Sequence, residues 1–192
     1  MTTAKTDRKT IAIIGAGGKM GCRITDNLKG SSVYDVLYVE VSEPGKANLA
    51  KRGLSVTPTD QALAQADVVV LAVPDNLIEK ISTGLVPQMK SGAAMIVLDP
   101  AAPCAGKLPK RADVTYFASH PCHPPVFNDE TDPEARRDFF GGIKAKQDIV
   151  SALIQGPEEH FALCDAIATQ MYAPVMKSFR VTIEQMPSLE PA

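Results

Sequence analysis

The sequence predicts an α/β fold built on a doubly wound, mostly parallel sheet, and three features carry that reading. Ile11-Ala-Ile-Ile14 is a β-branched run of the kind that fills a strand buried on both faces. It breaks at once into Gly15, Gly17, Gly18 and Gly21, and from within that turn Met20, Ile24 and Leu28 recur every four residues, as on one face of a helix. Val68-Val-Val-Leu-Ala-Val73 is a second buried run, stopped by Pro74-Asp75-Asn76.

Taken in order, strand and helix alternate. Gly30 stops the first helix, and Tyr34 to Val39 forms the second strand, ending at Glu40. Ser42-Glu-Pro-Gly starts a short helix that Gly53 ends. Leu54 to Val56 reads as a brief third strand, followed by a helical turn from Asp60 to Ala66 and the strand at Val68. A helix then runs to about Met89, Ala94 to Leu98 is a fifth strand, residues 99–112 are loop, and Val114 to Ala118 is a sixth strand. Beyond it, Gln147 to Ile154 and Val175 to Val181 read as strands flanking a helix from Pro157 to Met171. The organisation expected is a nucleotide-binding Rossmann unit over residues 1–119 and an extension of the same sheet over 120–181. A new helical segment then opens over 182–192.

The glycine turn carries the first chemistry. A helix N-terminus presents unpaired amides and the positive end of its dipole, so a phosphate fits there. Gly15, Ala16, Gly17, Gly18, Lys19, Met20 and Gly21 read as G-x-x-G-x-M-G, not the strict G-x-G-x-x-G. Glu40 lies nineteen residues past Gly21, where a carboxylate accepts the adenosine ribose hydroxyls and repels a 2′-phosphate. NAD is therefore favoured over NADP, although a merely solvated strand end and a softening influence of Lys19 stand against it. Val73, Pro74 and Asp75 end the Val68 strand and should line the cofactor crevice.

Composition bounds the rest. The 192 residues suit one core, and a net charge of −2 gives no electrostatic case for nucleic acid or anionic membrane. No apolar run approaches a membrane span and no signal core opens the chain, so a cytoplasmic protein is expected. Cys22, Cys104, Cys122 and Cys164 form no C-x-x-C pair, which argues for reduced thiols.

Catalysis is expected at Ser119-His-Pro-Cys-His-Pro-Pro125, a proline-stiffened loop after the sixth strand. Two of the chain's three histidines, His120 and His123, lie in it. A histidine can take the proton that leaves an alcohol as hydride departs, or hold a divalent metal that polarises a carbonyl. The spacing suits either role, and two solvent-facing loop histidines are the plain alternative. His160 is expected at the surface, and Cys122 as a small half-buried residue.

Together, Gly15-Ala-Gly-Gly-Lys-Met-Gly21, Asp99-Pro-Ala-Ala102 and the histidine segment with Phe127-Asn-Asp129 resemble D-apionate oxidoisomerases. Gly142-Ile-Lys-Ala-Lys146 and Val181-Thr-Ile-Glu-Gln-Met186 extend the resemblance over nearly the whole chain. That group is similar in architecture to 6-phosphogluconate dehydrogenases and ketol-acid reductoisomerases. The resemblance implies an NAD-dependent oxidoreductase of carbohydrate metabolism that oxidises a sugar acid and couples the step to isomerisation. It also implies a divalent metal ion held by His120 and Glu184, with His123 as base or the two histidines exchanged, and a homodimer. The relatives carry a C-terminal helical domain that this chain is expected only to begin. A simple β-hydroxyacid dehydrogenase and a non-catalytic dinucleotide-binding module are the competing readings.

Overall fold

The computed structural model describes residues 8–124 and 129–188, so Pro125, Phe127 and Asn128 of the motifs above lie outside the described residues. One seven-stranded sheet organises the chain. Its strands are β1 (Lys9–Ile14), β2 (Tyr34–Val39), β3 (Val68–Leu71), β4 (Ala94–Val97), β5 (Thr115–Pro121), β6 (Gln147–Gln155) and β7 (Val175–Arg180). They lie in the order β2-β1-β3-β4-β5-β6-β7. The first five are parallel neighbours, β6 runs antiparallel to β5, and β7 is parallel to β6.

Alternation along the buried strands divides the core into two layers. Ile11 and Ile13 of β1 and Val68 and Val70 of β3 pack beneath α1 (Lys19–Leu28) and α6 (Glu159–Met171), against Ile24, Leu28 and Ile167. Ala12 and Ile14, with Val69 and Leu71, face the opposite layer. That layer holds α3 (Thr59–Gln65) and α4 (Ile78–Leu85) through Leu63, Ile78 and Leu85. Two further α-helices among the described residues are α2 (Glu43–Ala50), whose Leu49 is buried in the α1 layer, and the single turn α5 (Ala101–Cys104).

Three expectations are corrected. Leu54 to Val56 is not a strand: Leu54 folds back onto α2 with its amide on the Leu49 carbonyl, and only Thr57 reaches β2, donating to Tyr38. Pro58, which has no amide to donate, then opens α3, so the segment is too short to build a ladder. Within the expected loop 99–112, Ala101–Cys104 closes one helical turn. Most consequentially, β5 does not stop at Ala118 but continues through His120 to Pro121, because it pairs with β6 as far as Pro121↔Ile149. His120 therefore stands on a strand, not on a loop.

A buried junction joins the two halves. Arg23 of α1 is 9% exposed and donates to the Phe140 carbonyl at 3.2 Å and the Tyr172 carbonyl at 3.1 Å. Gln147 Nε2 donates to the same Tyr172 carbonyl, and Asn27 reaches the Met171 carbonyl at 2.9 Å. Tyr172 is fully buried, and its hydroxyl donates to the Ser119 carbonyl at 3.0 Å, beside His120. Burial pushes its phenol far above the ordinary value, so it remains a donor at all working pH. Tyr172→Ala is expected to lower stability by about 3–5 kcal/mol and Tyr172→Phe by only about 1 kcal/mol, measured by urea denaturation. Equal losses in the two variants would show that the hydroxyl, not the ring, carries the junction.

Candidate active site

The turn after β1 is shaped by backbone contact. A Cβ on Gly21 would stand 1.9 Å from the Gly15 carbonyl oxygen, and one on Gly17 would stand 2.1 Å from the Gly45 carbonyl oxygen. Gly15 adopts φ +79°, a region that favours glycine. The start of α1 thus seats directly on the backbone of Gly15 and Ala16, and α2 seats directly on the turn at Gly17. The N-cap of α1 is Gly18, which has no side chain to cap it, and the helix's first turn holds no acidic residue. Its opening amides are left for an anion. Lys19 sits in that turn against the helix dipole, with its ammonium 4.4 Å from the centre of the Phe140 ring.

Glu40, 8% exposed, closes the end of β2. Its Oε2 accepts the Gly17 amide at 3.0 Å. Its Oε1 accepts the amides of Val41 and Ser42 at 2.9 Å each and the Ser42 hydroxyl at 3.0 Å. Burial raises the pKa, but the donations from Ser42, Gly17 and Val41 together outweigh it and hold the carboxyl below its ordinary 4.5. A Cβ on Gly45 would stand 2.4 Å from the Glu40 carboxyl carbon, so α2 packs its backbone on the charge.

Beside this carboxylate opens a cleft of about 410 Å³ at the carboxyl ends of β1, β2 and β3. Of the cofactor residues expected from sequence, Gly15, Gly18, Glu40, Val73 and Pro74 line it directly. Ala16, Gly17 and Gly21 are buried under the turn, Met20 is half-buried, and Lys19 turns to Phe140. Asp75 follows Pro74 at the same rim. Its carboxyl is held above the ordinary range by partial burial and then by the charge of Asp99, with His120 acting in the opposite sense. The sequence reading missed Ser42, Thr59, Leu77 and Ile81 as lining residues. Ser42 was legible only as a helix start.

The two histidines differ. His120 is half-buried at the end of β5, its Nδ1 2.9 Å from the Leu98 carbonyl oxygen. A carbonyl only accepts, so Nδ1 carries a proton there. His123 is exposed on the following loop at φ +57°, its ring 6.4 Å from that of Phe140. Glu184 is exposed, in a segment that Cys104 ties down by donating to the Ile183 carbonyl at 3.1 Å. Among the described residues no group of three or more His, Cys, Asp or Glu is placed to hold a metal ion. His160, expected at the surface, is half-buried with Nδ1 2.6 Å from the Thr115 hydroxyl. Cys122 is half-buried, and burial pushes its thiol above the ordinary value, as expected of an inert residue. No helix among the described residues is long and apolar enough to cross a membrane.

Residues 5–101 match the acetohydroxy acid isomeroreductase NADPH-binding domain family, and residues 128–192 match the C-terminal domain family of decarboxylating phosphogluconate dehydrogenase. The D-apionate oxidoisomerase of Cupriavidus necator is 56% identical over 185 residues, covering 96% of this chain and 67% of that one. The chain belongs to the D-apionate oxidoisomerase family. The corresponding enzyme of Rhizobium rhizogenes is 58% identical over 94% of this chain and 66% of its own length. The chain thus spans about two thirds of the curated relatives it matches. A Cupriavidus necator semialdehyde dehydrogenase NAD-binding protein, crystallised with calcium and NAD, superposes with a TM-score of 0.92 at 56% identity, over 96% of this chain and 67% of its own. An NADH-preferring ketol-acid reductoisomerase from an uncultured archaeon shares the fold, with a TM-score of 0.66 at 24% identity over 92% of this chain and 53% of its own.

The depressed Glu40 pKa has a stability consequence. Its contribution is fully present above the carboxyl's unfolded pKa and is lost as pH falls through the lower folded value. Glu40→Gln should therefore lower the urea midpoint at neutral pH, with the gap to the parent closing on acidification below about pH 4. A gap that stays constant across that range would refute the ionised assignment.

Proposed function

We propose that the chain is the nucleotide-binding part of an NAD-dependent oxidoisomerase that oxidises a CH–OH group of a sugar acid. The reaction is of the D-apionate to 3-oxo-isoapionate type. The observation that carries this is the 58% identity to a D-apionate oxidoisomerase over nearly the whole chain. The architecture fits the cofactor: an uncapped helix faces the glycine turn, and a side chain at Gly21 would fill the turn. Glu40 puts an ionised carboxylate at the cleft, which favours a free ribose over a phosphorylated one. This supports NAD, although the family matched by residues 5–101 is described as NADPH-binding.

Bound NAD would accept the hydride. The chain's own residues supply the proton chemistry and the positioning. We assign the base to His120, because the Leu98 carbonyl orients its ring through Nδ1 at the carboxyl end of β5, so that proton exchange with the alcohol falls to Nε2. His123, exposed beside Phe140, is assigned to the substrate. The pair His120 and Glu184 does not by itself make a metal site, since a divalent ion takes more ligands than two, so no step is routed through an ion. Residues 182–192 are read as the entry to the relatives' helical domain, and the assembled form as a homodimer that binds neither nucleic acid nor membrane.

The test is NADH formation against a panel of branched and linear sugar acids, using the chain with any residues that follow it in the whole protein. His120→Ala should lower turnover by about 10²–10⁴-fold while NAD still binds. Unimpaired turnover would remove His120 from catalysis. NAD binding with no turnover on any sugar acid would favour a non-catalytic module. In the same protein, Gly21→Val should abolish NAD binding, because the branched side chain has no space against Gly15. A folded variant with undiminished affinity would place the phosphate elsewhere.

A further inference from the structure

Ser42 has one hydroxyl proton and commits it inside the protein. Its Oγ donates to Glu40 Oε1 at 3.0 Å and accepts the Gly45 amide at 3.1 Å, capping α2. With the amides of Val41 and Ser42 also on it, Oε1 takes three donors. Among the described residues Oε2 takes only the Gly17 amide, at 3.0 Å, and so keeps acceptor capacity. Both Glu40 and Ser42 line the cleft. The two carboxylate oxygens therefore divide the work: Oε1 is saturated by the loop, and Oε2, packed beside the Gly45 backbone, retains acceptor capacity.

We propose that Ser42 is a specificity-determining positioning residue that orients Glu40 so that Oε2 accepts from the adenosine ribose of NAD, an inference that rests on the NAD reading above. The same bond denies NADP a donor. While Glu40 is ionised, the Ser42 proton points at the carboxylate and is not available to a 2′-phosphate. Discrimination then has two parts, repulsion by the Glu40 charge and withdrawal of the Ser42 hydroxyl.

Direct calorimetric titration of the full chain with NAD and with NADP tests this without any need for turnover. Ser42→Ala should weaken NAD by about 10-fold and reduce the NAD-to-NADP affinity ratio by a similar factor. Ser42→Thr, which keeps a hydroxyl at the helix cap, should retain the parent ratio. In a Glu40→Ala background the Ser42 hydroxyl is released to a 2′-phosphate, so adding Ser42→Ala should raise the NAD-to-NADP ratio, and an unchanged ratio there would overturn the withdrawal of the hydroxyl. A serine that served only as the α2 cap would behave differently, because loosening the loop weakens both cofactors alike. An unchanged ratio in Ser42→Ala, or a ratio not kept by Ser42→Thr, would overturn the proposal. A parent chain that binds NAD no better than NADP would bring down the NAD reading, and this inference with it.

Discussion

The site depends on one buried ion held by neutral donors. A carboxylate 8% exposed needs compensation, and among the described residues Glu40 obtains it from neutral groups, three amides and a hydroxyl. Those donors come from the β1–α1 turn and from the β2–α2 loop. The same bonds that keep the charge soluble in the protein therefore fix the distance between two loops that are remote in sequence. This arrangement is possible only because Gly17 and Gly45 let the backbones touch. Remove the space and the amides no longer reach.

Strand alternation explains why the two layers are so cleanly separated. β1, β3 and β4 carry buried Ile, Val, Leu, Met or Ala on both sides, so the sheet needs helices on both faces and gets them from the crossovers. The parallel run ends at β5. There β6 returns antiparallel, and the rim that carries His120 is braced from the far side by Tyr172 and by the Ser151–Ser119 hydroxyl pair at 3.1 Å. The cofactor half and the histidine rim are thus one mechanical body, joined through Arg23.

Much of this was legible in the sequence, and the reasons are local. The runs at Ile11, Tyr34 and Val68 announce strands because continuous β-branched and aromatic residues have few other uses, and β2 runs from Tyr34 to Val39 as read. The glycine spacing gave the turn. What failed was tertiary. Leu54 to Val56 has strand composition but no room for pairing, and β5 gains its last three residues from a partner strand some thirty residues away. The orientation of the His120 ring was beyond sequence because it is set by the Leu98 carbonyl. The role of Ser42 was hidden for the same reason: a helix-cap serine is common, and only the fold brings a carboxylate to it.

The contact between Gly17 and Gly45 has a consequence for altering the molecule. Two backbones that meet without side chains form a joint with no adjustable part, so neither loop can be exchanged alone. A segment 40–45 taken from a protein with a different cofactor preference would arrive with its own spacing and find the old turn in its way. Residues 15–18 and 40–45 form a single structural cassette, and grafting of cofactor preference in this scaffold has to move both together.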